Sequence, residues 1–410
     1  MSGFVEGLLP ARLGTGYRWL LASSWTSNLG DGVAVAAGPL LVAALTGNPF
    51  LISLAALLRW APPLVFGLYA GVLSDRLDRR RIVIAADGIR AVVLAVLALA
   101  LVTGRVPVAV ALVALGLLAT GEVFADNTVS TLTPMLVRRD DLAVANARLQ
   151  TGFITLNQLA GPPIGAALFA AGRAVPFVAE AVLVTAGVLL VSRIAVPAPD
   201  RGGSAPAGSA LREGLLWTVR HPPVRTLSLT ILIFNITFGA AWSVLVLYAQ
   251  RRLGLGPVGF GLLTATAAAG GLLGTGLYGW LTRRVSLGNI MRAGLVIETF
   301  THLGLAVTRV AWVAASIFFV FGAHAFIWGT TSITVRQRAV PEQLQGRVGS
   351  VNTISVFGGL VVGSVIGGVL ASRAGVTAPF WFAFGGSAVF LVLLWRELTR
   401  IAHDATPSGD

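Results

Sequence analysis

Apolar runs of about 18 residues or more recur from one end of the chain to the other. Each is long enough to cross a ~30 Å hydrocarbon core as a helix. In lipid the backbone must satisfy its own polar groups, so such runs form helices whose neighbours tolerate the many glycines and prolines. A single soluble core cannot absorb this many runs. Charged residues make up only 11% of the chain, against about 25% in soluble domains. The expected fold is therefore an all-α membrane protein.

The runs fall near 19–44, 51–73, 82–103, 107–131, 150–171, 175–195, 225–249, 257–281, 288–308, 311–333, 349–371 and 377–398. That predicts twelve transmembrane helices in two six-helix bundles, 1–195 and 225–400. A linker, 196–224, begins rich in Pro, Gly and Ser and then turns amphipathic, with Leu211, Leu215, Leu216 and Val219 on one side. It reads as a flexible tether followed by a helix on the membrane surface. Residues 401–410 read as a tail, and residues 1–18 lead into a span with no short apolar stretch and cleavage site, so no cleaved signal is expected.

All 30 basic residues are arginine. With the N-terminus inside, 22 arginines fall on the cytoplasmic side and 6 on the other, and Arg59 and Arg90 remain within spans. The positive-inside rule then puts both termini in the cytoplasm of a multi-pass protein of the inner (plasma) membrane. The net charge of +13 is spread through short loops, which suits anionic membrane lipids and not a nucleic acid.

The halves repeat. At an offset of 202 residues Arg90 falls on Arg292, Ser130 on Ser332 and Glu122 on His324, and Gly161-Pro162-Pro163-Ile164-Gly165 falls on Gly363-Ser364-Val365-Ile366-Gly367. A constant offset indicates duplication of a six-helix unit, a transporter plan.

The strongest motif runs from Gly71 through Ser74-Asp75-Arg76-Leu77-Asp78-Arg79-Arg80 between the second and third spans. Plain topology explains the arginines but not Gly71 and Asp75. The segment is expected to be a gating loop whose charge pairs form in one conformation only, extended by Asp87, Arg90 and Asp126. This Gly-x-x-x-Asp-Arg-x-x-Arg-Arg pattern resembles the loop signature of the major facilitator superfamily. With Ser27-Asn28-Leu29-Gly30-Asp31-Gly32, Asp87 through Ala91, Glu122 through Asn127 and Pro134 through Asn146, the chain is similar to the drug:proton antiporter branch that includes enterobactin exporters and macrolide efflux proteins. The resemblance implies alternating access and export driven by protons. The second-half loop, Gly279-Trp280-Leu281-Thr282-Arg283-Arg284, lacks an acidic residue, so the gating network is expected on one side only.

Ionisable groups inside spans mark function or fixed pairs. Asp31 lies about 18 Å into the first span, and Arg59 reaches a similar depth in the second, so the two can pair. Glu122 and Asp126, four residues apart on the fourth span, suit a proton carrier; the plainer reading pairs Asp126 with Arg90 or a loop arginine. Glu298 and His302 share a face of the ninth span, and His324 can titrate near neutral pH, though a buried histidine is commonly structural. Glu180 is expected to reach the interface. The proton-coupling candidates are thus Asp31, Glu122, Glu298, Arg59 and His324. Trp25, Phe153, Phe234, Phe238 and Trp242 are candidates for lining a substrate cavity. His302, Trp328, Phe357 and the polar Asn157, Gln158 and Asn235 join them.

Some classes are excluded. Without lysine or cysteine there is no P-loop and no thiolate metal site, and the motifs of a zinc protease or a serine hydrolase are absent. No enzyme activity, cofactor or metal is expected. The reading is a monomeric secondary transporter that exports a small organic compound by proton antiport amid membrane lipids. A lipid-like flippase or uncoupled facilitator is the transport alternative, and a membrane receptor or scaffold the non-transport one.

Overall fold

The computed structural model describes residues 11–104, 106–195 and 207–398. The start of the expected linker, 196–206, and the tail lie outside the described residues. Everything regular within them is helical: α1 (Thr15–Leu45), α2 (Pro49–Arg76), α3 (Arg79–Val102), α4 (Val108–Leu136), α5 (Leu142–Gly152), a π-helical segment (Phe153–Ala160), α6 (Gly161–Ala171), α7 (Val175–Val191), α8 (Ala207–Arg220), α9 (Pro222–Trp242), α10 (Leu245–Arg251), α11 (Pro257–Thr282), α12 (Leu287–Val307), α13 (Ala311–Ala339), α14 (Gln345–Ala374) and α15 (Ala378–Leu394). Among the described residues nine helices are long and apolar enough to cross a membrane, and two more apolar helices, α7 and α15, are shorter.

Two expected spans are not regular α-helices. The fifth passes through the π segment, where Gly161 N–H reaches back to Leu156 O. Pro162 and Pro163 follow at once, and in an α-helix their missing N–H groups would leave the carbonyls of Gln158 and Leu159 unpaired. The seventh, expected unbroken over 225–249, ends at Trp242 and restarts at Leu245 as α10. Its Ser243 side chain turns back to bond Ala240 O at 3.0 Å.

The chain divides into two compact units. The first gathers α1, the part of α2 from Val65, and α3 to α7; the second gathers Gly47–Leu64, α8 to α10, most of α11, and α12 to α15. Each unit uses the same pairings. In the first, α1 packs on α6 and α7, and α3 on α7 and α4; in the second, α9 packs on α14 and α15, and α12 on α15 and α13.

The repeated glycines explain the match. A Cβ on Gly161 would lie 2.4 Å from Gly32 Cα, and one on Gly165 2.2 Å from Val33 O. In the second unit a Cβ on Gly363 would lie 3.0 Å from Gly239 Cα, and one on Gly367 2.1 Å from Ala240 O. Backbones this close need residues without side chains.

The amphipathic stretch of the linker forms α8. α8 docks on α14 through Gly214, where a Cβ would meet Arg347 O at 2.4 Å, and through Thr218, which is buried. Glu213 is ion-paired with Arg347. Leu215, Leu216 and Val219 are exposed, while Leu211 is half-buried. The docking side is not all small, since Trp217 packs against the cluster of Val224, Val340 and Val348.

Candidate functional site

The first unit buries a cluster of charge around Arg90, on the face of α3 turned toward α1 and α7. Arg90 Nη2 is bonded to Asp31 of α1. Its Nη1 donates to Asp87 Oδ1, one turn earlier on α3, at 2.8 Å. Glu180 Oε1 of α7 stands 3.7 Å from Nη2. All four residues are at most 4% exposed. Small residues admit the long side chains: a Cβ on Gly121 of α4 would meet Arg90 Cγ at 2.6 Å, and one on Gly30 would meet Glu180 Cγ at 3.4 Å.

Glu122 and Asp126, next along α4, lie within coulombic reach of the same arginine. Exposure rises along this edge, since Glu122 is half-buried and Asp126 exposed. With its acids ionised, one guanidinium faces three carboxylates in its contact shell and two more nearby. A buried excess of negative charge in a low-dielectric medium is costly. Such a cluster takes up protons or cations, or rearranges, more readily than a balanced pair.

Two expectations are corrected here. Asp31 takes Arg90 as its partner where the sequence suggested Arg59; Arg59 belongs to the second unit, with its guanidinium 5.6 Å from the Trp60 ring centre. Helix facing, and not depth alone, decides the pair. Glu180, expected at the interface, is 1% exposed and joins the cluster. The sequence carried no signal for it, because its partner lies 90 positions away on a helix whose rotation is fixed by packing.

The loop residues hold the first unit together at one end. Arg79 donates to Ser74 O at 3.1 Å and to Met135 Sδ, and Arg80 to Ser192 O. Gly71 O accepts the Ser74 hydroxyl at 2.8 Å. The side chains of Asp75 and Arg76 lie outside the described residues. Asp78 has a role the sequence reading missed: it caps α3 by accepting from Arg81 N–H at 3.2 Å, and an Asp just before a helix start is the signal for it.

The expected cavity residues separate into groups. Trp25 is a packing residue: its Nε1 donates to Arg148 O at 3.0 Å, and its ring fills the space over Gly152. Asn157 is buried in the π segment beside the half-buried Gln158, while Phe153 is exposed at its start. Phe234 sits in the apolar core of the second unit with Leu295 and Val335. Asn235 turns its amide to Ile231 O at 2.7 Å. Phe357 faces Trp60 with ring centres 6.2 Å apart.

The rest converge. Phe238 and Trp242 of α9 stack with centres 4.2 Å apart, and Phe321 of α13 lies 4.8 Å from Trp242. His302 meets Trp242 edge-on at 6.2 Å, and His324 meets Phe321 at 5.3 Å. Trp328 and His324 crowd α12 at Gly294, where a Cβ would lie 2.8 Å from Trp328 Cδ1 and 3.2 Å from His324 Nδ1.

A helical membrane chain built from two like-paired halves, with charge buried inside its spans, has the architecture of a polytopic transport protein. The chain belongs to the major facilitator superfamily, in the family described as transmembrane secretion effector, which it matches over residues 7–406. It is 30% identical over 409 residues to the multidrug efflux pump Tap of Mycolicibacterium fortuitum, covering 92% of this chain and 96% of that one. It is 23% identical to macrolide efflux protein A of Streptococcus pyogenes, covering 85% and 87%. Its fold matches a bacterial homologue of the iron transporter ferroportin with a TM-score of 0.77 at 15% identity, over 93% of this chain and 98% of the other.

Proposed function

We propose that this protein exports a small organic compound across the inner membrane, with both termini in the cytoplasm, by exchange against protons. The observation that carries the reading is the cluster of Asp31, Asp87 and Glu180 on one Arg90, all buried. A proton arriving at Asp31 removes one charge from the Arg90 bond, and the arginine is left to its other acids. Alternating access requires two arrangements of the protein, and a change in which acid holds Arg90 is a means of switching between them. Asp126 and Glu122 are the entry side, since exposure falls from Asp126 to Glu122 to Asp31. Efflux by the relatives Tap and macrolide efflux protein A supports the outward direction and an organic substrate.

The test is substrate-triggered proton movement in proteoliposomes, with a macrolide antibiotic and a siderophore as probes, for wild type and Asp31→Asn. The expected result is proton flux evoked by at least one probe and lost in Asp31→Asn. Probe movement with no proton flux in either protein overturns the coupling and leaves a facilitator or flippase.

A further inference from the structure

The second unit holds a cluster that the proton mechanism does not use. His302 of α12 is 0% exposed and His324 of α13 is 6% exposed, yet among the described residues neither ring nitrogen of either histidine has a hydrogen-bond partner, and Trp328 Nε1 has none. A buried polar atom left unpaired costs about 1–3 kcal/mol, so five in one place point to a missing partner. Both rings lie beside the stack of Phe238, Trp242 and Phe321. His324 lies within coulombic reach of His302.

Glu298 stands one turn from His302 and one turn from Gly294, on the same face of α12. It makes no hydrogen bond or ion pair with a described residue. No three acidic or histidine side chains among the described residues are grouped to hold a metal ion. The broken span adds a further feature, since α9 ends at Trp242. A helix C-terminus carries partial negative charge, and interrupted spans are where transporters place ligands.

We propose that this seam between α9, α12 and α13 is a binding site for an organic cation bearing N–H, a protonated amine attached to an aromatic or aliphatic body. Glu298 is its counter-charge. The acceptor nitrogen of His302 takes its N–H, that of His324 takes a second N–H where the amine has one, and the rings of Trp242 and Phe238 cover the cationic carbon groups, as aromatic faces do. Trp328 Nε1 donates to an oxygen elsewhere on the same ligand. The site rests on the exporter reading only in being called a substrate site; binding itself needs neither a gradient nor turnover.

The test uses purified full-length protein in detergent, titrated to equilibrium and followed by tryptophan fluorescence. The probes are 4-phenylbutyl-dimethylamine, protonated at neutral pH, and the hydrocarbon isostere in which C–H replaces the charged N–H. Each probe's partition into protein-free micelles of the same detergent is measured first, so that the two probes are compared at equal free concentration. Wild type is expected to bind the amine about tenfold or more tighter than the isostere, a difference of about 1.4 kcal/mol. Glu298→Gln is expected to lose that preference while still binding the isostere, which shows that it is folded, and Glu298→Asp to keep it. His302→Phe should weaken the amine alone.

Equal binding of the two probes by wild type, binding of neither, or a preference that survives Glu298→Gln overturns the proposal. Loss of proton coupling in proteoliposomes with the amine preference intact would sink the antiport reading and leave this site standing.

Discussion

Gly121 and Arg90 share one volume: the space a side chain at Gly121 would take is filled by the Arg90 chain, 2.6 Å from the position of a Cβ. The guanidinium reaches Asp31 and Glu180 because α4 is bare at this point. Gly121→Leu is therefore expected to expel Arg90 from the cluster and reduce transport at least tenfold. Gly88→Ala, on the same helix as Arg90 but with nothing within 4 Å of the added Cβ, should transport like wild type. Flux in proteoliposomes at equal protein density checks both.

Removing the cation should cost more than removing any one acid. Arg90→Ala leaves three buried carboxyl groups without their partner, and breaking a buried pair costs about 3–5 kcal/mol. Thermal unfolding in detergent should show a large drop for Arg90→Ala and a smaller one for Asp31→Asn, whose amide still accepts from the guanidinium. Equal melting temperatures for the two variants would count against a cluster held by Arg90.

Glu180 and Asp31 should differ in kind. Asp31 is hydrogen-bonded to Arg90, whereas Glu180 stands 3.7 Å away, beyond a good hydrogen bond. Glu180→Gln is thus expected to keep substrate-evoked proton flux at a reduced rate, and Asp31→Asn to abolish it. A Glu180→Gln variant as uncoupled as Asp31→Asn would show that charge number matters here and hydrogen bonding does not.

The paired glycines give matched predictions for the two units. Gly161→Ala and Gly363→Ala each place a methyl group against backbone, 2.4 Å from Gly32 Cα and 2.3 Å from Ile236 O. Overpacking of this sort costs about 1–3 kcal/mol. Both variants should lower the melting temperature in detergent, and a neutral result at either position would show that its helix pair can slide apart freely.

Docking of α8 should depend on Gly214 far more than on the ion pair beside it. Glu213 and Arg347 are both more than a third exposed, and such pairs contribute about 0–1 kcal/mol. Gly214→Val, pressed onto Arg347 O, should free the helix and speed proteolytic cleavage there. Glu213→Ala should leave the cleavage rate near that of wild type.

Much of the architecture is written in the order of residues. Length and apolarity of each run dictate helices in lipid, since the backbone has no other way to pair its polar groups there. The offset that places Gly161 on Gly363 announced the duplicated packing, because a contact between backbones demands glycine wherever it recurs. The residues that break lipid rules, Asp31, Arg90, Glu122, Asp126, Glu298, His302 and His324, stand out against apolar neighbours in any reading of the chain.

Which of them meet was decided by tertiary structure alone. A buried charge announces a cost but not its partner, and the partner depends on how each helix is rotated about its axis. That rotation is fixed by many small contacts, such as Gly121 yielding to Arg90 and Gly30 to Glu180. Depth in the membrane pointed to Arg59 as the partner of Asp31, and facing chose Arg90. Glu180 was placed at the interface for the same reason, while the gathering of His302, His324 and Trp242 needed three helices to come together.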